Sequence, residues 1–311
     1  MSAKVWLVGA GPGDPELLTL KAVKALNRAD IVMIDDLVNP AVLEHCPNAR
    51  VVPVGKRGGC RSTPQAFIHR LMLRYARQGK CVVRLKGGDP CIFGRGSEEA
   101  DWLEQFGIEV EMVNGITAGL AGATNCGIPL TLRGVSRGVT LVTAHTQDDS
   151  SLNWAALAQG GTTLVVYMGV AKLGEIRDSL LAGGMRADMP VAMIENASLP
   201  HQRECRSSLA CMQQDAHDFQ LKSPAILVIG DVVQASPLWA AAAINAPTPH
   251  ASPAPAVRYW PSTPGNDGYR RIRNRTWVQA PSLASAVNVC RPGCCENVRA
   301  GFKPAISGVA P

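Results

Sequence analysis

The chain has 311 residues, 46% of them hydrophobic and 5% aromatic, with 31 Lys and Arg against 25 Asp and Glu. No apolar stretch approaches the roughly 20 residues needed to span a bilayer, and the first strand pattern begins too early for a signal peptide, which predicts a cytoplasmic protein without a membrane role. The net charge of +6 does not imply nucleic-acid binding by the body, because the eight basic and two acidic residues after Ala241 carry all of it while residues 1–240 hold 23 of each sign.

In chain order, Val5-Trp6-Leu7-Val8 reads as a strand, followed by Gly9-Ala10-Gly11-Pro12-Gly13-Asp14 and a helical pattern near 16–28. A second strand, Ile31-Val32-Met33-Ile34, ends at Asp35-Asp36. Strand, glycine loop, helix, strand and acid is also the order of a dinucleotide-binding unit. However, Pro12 removes a backbone N–H from the loop, and Asp14 places a carboxylate where a pyrophosphate would sit. An adenosine ligand without phosphates fits better, and S-adenosylmethionine, with its cationic sulfonium, is such a ligand.

Strands near 50–54, 80–85 and 109–113 and helices near 64–78 and 97–106 continue the alternation, which implies a mostly parallel sheet covered on both faces. The run Arg84-Leu85-Lys86-Gly87-Gly88-Asp89-Pro90-Cys91-Ile92-Phe93-Gly94-Arg95-Gly96-Ser97-Glu98-Glu99 follows a strand. Glycines there let a backbone approach a ligand, at the strand end where open α/β sheets bind. Residues 132–138 read as a linker to a second set of strands near 139–143, 163–167, 190–194 and 225–229. Helices near 152–158, 169–182 and 207–213 separate them. The expected organisation is an α/β domain at 1–137, a second at 138–240 and a basic tail at 241–311. The tail holds ten of the 22 prolines and reads as disordered. The ten cysteines form no Cys-x-x-Cys pair, and Cys290, Cys294 and Cys295 lack a clear fourth ligand, so neither a disulfide framework nor a metal is expected.

The segments 8–14, 54–57, 83–90 and 92–96, together with Gly115-Ile116-Thr117-Ala118, Gly127-Ile128-Pro129-Leu130-Thr131, Tyr167-Met168-Gly169 and Glu195-Asn196, closely resemble the tetrapyrrole methylases across roughly 4–234. The resemblance implies that family's two-domain fold, each domain a mixed, mostly parallel sheet flanked by helices, and a homodimer. It implies transfer of methyl groups from S-adenosylmethionine to carbons 2 and 7 of uroporphyrinogen III, giving precorrin-2 for sirohaem, cobalamin or haem d1 synthesis. Carried over by position, Pro12, Gly87, Gly88, Asp89, Ile92, Thr117, Ala118, Met168 and Ala197 would bind the donor. Asp35 would accept a proton and Lys56 would donate one.

A substrate with eight carboxylates needs cations, and the loops hold Lys56, Arg57, Arg61, Arg84, Lys86, Arg95, Arg133 and Arg137. Among them Arg95 and Arg133 are expected to bind substrate, with Glu98 orienting Arg95, which is also a candidate for assisting proton abstraction. The alternatives are another precorrin methyltransferase of the same fold, or an RNA-methylating or RNA-binding protein, against which the neutral body counts.

Overall fold

The computed structural model describes residues 4–55, 63–145 and 152–235 and the backbone of one short strand, Val287–Val289. The expected proton donor Lys56, with Arg57 and Arg61, lies outside the described residues, as does most of the 241–311 tail.

Five strands, β1 (Lys4–Gly9), β2 (Ile31–Ile34), β3 (Arg50–Pro53), β4 (Val82–Lys86) and β5 (Glu109–Val113), form a wholly parallel sheet in the order β3-β2-β4-β1-β5. Of its inner strands, β2 is apolar without a break because both faces are covered, whereas β4 carries the buried Arg84 and Lys86. Val5 and Leu7, Ile31 and Met33 pack on one face against Ile68, Met72 and Ala76 of α2 (Gln65–Arg77) and Ala100 and Leu103 of α3 (Gly96–Glu104). Val8, Val32, Ile34, Val83 and Leu85 face the other way, onto Ala22, Ala25 and Leu26. These last three belong to α1 (Leu20–Leu26), where the Thr19 hydroxyl caps the N-terminus by accepting from Ala22 N–H at 3.1 Å.

After β5 the chain makes α4 (Ala118–Asn125) and then enters a second sheet, built from β6 (Val139–Thr143), β7 (Thr163–Tyr167), β8 (Pro190–Glu195), β9 (Arg203–Ser208), β10 (Ala225–Ile229) and β11 (Val287–Val289) in the order β11-β9-β8-β10-β7-β6. One face packs on α5 (Trp154–Gln159), α6 (Leu173–Ala182) and α7 (Met212–Asp218). The opposite face, with Val165, Tyr167, Ile194, Ala192 and Val228, is covered partly by Ala123 of α4 and by Ile128.

Here the pairing departs from the mostly parallel expectation. β7 and β8 both run antiparallel to β10, and β8 runs antiparallel to β9. A short connection suffices for antiparallel neighbours, and only residues 196–202 separate β8 from β9. The strand β9 was not anticipated, because its buried side chains include Glu204 and Arg206, ion-paired with each other. Within the tail, β11 runs parallel to β9.

Among the described residues no helix is long and apolar enough to cross a membrane.

Candidate active site

Three loops at the carboxyl ends of β1, β4 and β5 interlock through their backbones. Gly11 N–H donates to Gly88 O at 3.2 Å, Gly88 N–H to Gly11 O at 2.7 Å, and Ala10 N–H to Lys86 O at 2.8 Å. A Cβ on Gly115 would lie 2.1 Å from Gly88 O, and one on Gly9 would lie 2.5 Å from Gly115 N. The glycines at these points serve the approach of loop to loop, which the sequence reading assigned to ligand alone.

Asp89 completes the fastening. It is buried, and its Oδ1 accepts from Cys91 N–H at 2.8 Å while Oδ2 accepts from Gly115 N–H at 3.0 Å. Asp14 is likewise occupied locally, capping the turn at Pro15–Leu17 by accepting from Glu16 N–H at 2.9 Å.

The second sheet closes on this knot. Asp14 N–H donates to Ser198 Oγ at 3.0 Å, and a Cβ on Gly13 would press on Leu199, 2.7 Å from its Cγ. Asn39 holds Gly13 O from the β2 side, donating through Nδ2 at 2.8 Å. Tyr167, at the end of β7, reaches the start of α4: its hydroxyl accepts from Gly119 N–H at 3.0 Å and meets Thr117 Oγ1 at 2.8 Å. Burial pushes the Tyr167 hydroxyl above its ordinary pKa, so it stays protonated and able to donate. Phe93 leans on the Tyr167 ring at 4.9 Å. Tyr167→Phe should lower stability by about 1–3 kcal/mol by orphaning a buried N–H. The loss should appear as a lower urea midpoint at unchanged slope, and an unchanged midpoint would show that the contact is dispensable.

Most expected donor-binding positions therefore meet at the junction of the two sheets. Pro12, Gly87 and Gly88 lie on the interlocked loops and are, with Ala118 and Ile92, half-buried. Thr117 is buried under Tyr167. Ile92, Ala118 and Ala197 share an apolar cluster, and Ala197 lies beside Gly122 of α4. Met168 is held in a left-handed conformation, φ 54°, with half its surface exposed. Such a backbone in a residue other than Gly, Asn or Asp carries strain that commonly marks a functional loop.

Beneath the loops lies a cluster of buried charges. Alternation along β4 puts Arg84 and Lys86 on the face covered by α2 and α3, opposite Val83 and Leu85. Lys86 Nζ donates to Glu99 Oε2 at 3.0 Å, Arg84 Nε to Glu99 Oε1 at 3.4 Å, and Gln65 Nε2 to the same Oε1 at 2.8 Å. Arg84 Nη2 then reaches Asp35 Oδ1 at 2.6 Å. Desolvation, followed by the charge of Arg84, pushes the Lys86 pKa down against the pull of Glu99. Arg84 and Lys86 were expected among the cations for an anionic substrate. They are instead buried and paired, so they do not present charge to a ligand. Asp35 is partly exposed at the end of β2, and Leu37 of the same loop abuts Gly87.

Arg95 stands at the N-terminus of α3 in a left-handed conformation, φ 58°. It forks onto Glu98, with Nε 3.1 Å from both carboxylate oxygens and Nη2 2.6 Å from Oε2. The expected partnership is present, and Arg95 holds the Glu98 carboxyl below its usual range. Both side chains remain about half exposed. Arg133 is exposed on the tight turn Leu132–Ser136 before β6, with no ion pair among the described residues. Among those residues, no group of three His, Cys, Asp or Glu side chains is placed to hold a metal ion.

The residues at the junction fit S-adenosylmethionine. The cations below them are neutralised by carboxylates, so a sulfonium meets no unbalanced positive charge. Ile92, Ala118 and Met168 keep part of their apolar surface exposed, which would suit an adenosine, and Ala197 is buried beside Gly122.

Comparison with known proteins places this geometry. Residues 4–212 match the family model described as Tetrapyrrole (Corrin/Porphyrin) Methylases. The chain is 76% identical over 234 residues to a uroporphyrinogen-III C-methyltransferase of Pseudomonas aeruginosa, covering 75% of this chain and 96% of that protein. It is 44% identical over 234 residues to an S-adenosyl-L-methionine-dependent uroporphyrinogen III methyltransferase of Methanosarcina barkeri, covering 74% of this chain and 92% of the relative. A crystal structure of uroporphyrin-III C-methyl transferase from Thermus thermophilus complexed with S-adenyl homocysteine superposes with a TM-score of 0.65 at 41% identity, over 75% of this chain and 99% of that one.

Proposed function

The chain belongs to the tetrapyrrole methylase family and is a methyltransferase, and on that premise we propose that it C-methylates uroporphyrinogen III at carbons 2 and 7 to give precorrin-2, the starting point for sirohaem, cobalamin or haem d1. The observation that carries the reading is the meeting of the loops after β1, β4, β5, β7 and β8 at one junction, all within the stretch that matches the family model.

The methyl donor supplies an electrophilic methyl group on a sulfonium. The protein's part is alignment and charge placement. Pro12, Gly87, Gly88, Thr117, Ala118, Ile92, Met168 and Ala197 hold the donor, and Asp89 acts by fastening Gly115 against the loop after β4. Asp35, at the edge of the same junction, takes the proton that must leave the methylated macrocycle, and Lys56 returns one. Arg95, set by Glu98, and Arg133 receive substrate carboxylates. No metal takes part. We propose a cytoplasmic homodimer that uses neither nucleic acid nor membrane.

Arg95→Leu and Arg133→Leu should each lower kcat/KM for uroporphyrinogen III by about ten- to a hundredfold, since a lost charge-assisted contact typically costs about 1.5–3 kcal/mol. Donor affinity should stay unchanged, because a sulfonium gains nothing from a guanidinium. Wild-type turnover in both variants would remove these arginines from the substrate site. The regiochemistry is tested by carbon NMR of the product formed from methyl-labelled donor. Enriched methyl groups at carbons 2 and 7 are expected, and enrichment at any other ring carbon identifies a different precorrin methyltransferase.

A further inference from the structure

Resting on the reading of Asp35 as proton acceptor, we infer that Glu99 is a positioning residue that sets the Asp35 carboxylate through Arg84. Glu99 is fully buried in the first turn of α3, and the bonds described for it run to Arg84, Lys86 and Gln65 rather than to the interlocked loops. Arg84 is the link. Its Nε is held by Glu99, its Nη1 by Met33 O at 3.4 Å and Leu85 O at 3.3 Å, and its Nη2 by Asp35 Oδ1 at 2.6 Å. Every nitrogen of the guanidinium is engaged, so its plane is fixed and one oxygen of Asp35 is fixed with it. Among the described residues Oδ2 has no hydrogen-bond partner, which leaves it for the substrate.

Stability alone is a poor reason for this arrangement. Buried ion pairs are frequently replaceable by apolar residues at no cost. Here four charges, Asp35, Arg84, Glu99 and Lys86, balance to zero, and among the described residues the charged chain leads outward at Asp35, the half-buried Gln65 being its neutral partner at the other end. Without the charge on Glu99, the two cations of β4 lose the counter-charge they share. A glutamine there has one acceptor oxygen for the three donors Lys86 Nζ, Arg84 Nε and Gln65 Nε2, where the carboxylate has two. The hold on the Nε end then weakens, and Asp35 loses its fixed aim. A misplacement of about 1 Å at a reacting group can lower a rate by about a hundredfold.

The test is a double-mutant cycle on the full chain, comparing wild type, Glu99→Gln, Asp35→Asn and the double variant by single-turnover methyl transfer from labelled S-adenosylmethionine to uroporphyrinogen III. Glu99→Gln should slow transfer at least tenfold, keep donor affinity by calorimetry within about twofold, and cause no further loss on top of Asp35→Asn, as coupled sites require. Arg84→Lys, which keeps the charge and loses the fork, should behave in the same way and serves if Glu99→Gln does not fold. Equal losses in both Asp35 backgrounds, or a fully active Glu99→Gln beside a crippled Asp35→Asn, overturn the role of Glu99 alone. A fully active Asp35→Asn overturns the reading beneath it as well.

Discussion

Gly115→Ala should destabilise the protein by about 3 kcal/mol or more and abolish measurable donor binding. The added Cβ would lie 2.1 Å from Gly88 O, 2.9 Å from Gly9 Cα and 3.0 Å from Gly9 C. All three are backbone atoms, so no side chain can rotate away, and relief requires the loops after β1, β4 and β5 to separate. Overpacking a closed site typically costs about 1–3 kcal/mol, and more where the surroundings cannot yield. Separation would also break the hydrogen bond from Gly115 N–H to Asp89 and the Gly11–Gly88 bridge, which hold the loops proposed to face the donor. Gly107→Ala is the control. Its Cβ meets nothing within 4 Å, and φ is +72°, so it should cost only the left-handed backbone penalty of about 1–2 kcal/mol and spare donor binding. Urea unfolding and calorimetry of both variants check this. Gly115→Ala within about 1 kcal/mol of wild type, with donor affinity intact, would show that the interlocked loops are not what builds the site.

Asp35→Asn should lower kcat by about 10²–10⁴-fold, the range typical of a lost acid or base, with donor affinity unchanged. Asparagine keeps the shape and can still accept from Arg84 Nη2 through its amide oxygen, so the fold should survive although the cluster loses one negative charge. It cannot take a proton at neutral pH. A variant with the wild-type rate would mean that another group accepts the proton.

How far the sequence alone reaches depends on whether a residue's neighbours are set by local pattern or by distant chain. The first sheet was legible because unbroken apolar runs such as Ile31–Ile34 and Val82–Val83 have one reading when flanked by helical periods. α4 was not, because Ala118–Asn125 is built of small residues with no apolar stripe to reveal it. β9 escaped because Glu204 and Arg206 neutralise each other inside, which no hydropathy pattern reports.

The loops proposed to hold the donor were readable as glycine motifs, yet the reason for the glycines was not, since the contact of Gly115 with Gly88 joins two loops across the sheet. Arg84 and Lys86 show the same limit. Their alternation with Val83 and Leu85 was visible, whereas the buried Glu99 that turns them inward comes from another element. Tyr167 sat in a recognised segment with no local sign that its hydroxyl would hold Thr117 and Gly119 together.

The most direct test is to incubate the full chain with S-adenosylmethionine labelled in the methyl group and uroporphyrinogen III, and to follow label into macrocycle. Two methyl equivalents per macrocycle, with none transferred to RNA offered in its place, is the predicted result. Absence of label from the macrocycle under conditions where the donor binds, or transfer to RNA instead, would contradict the account.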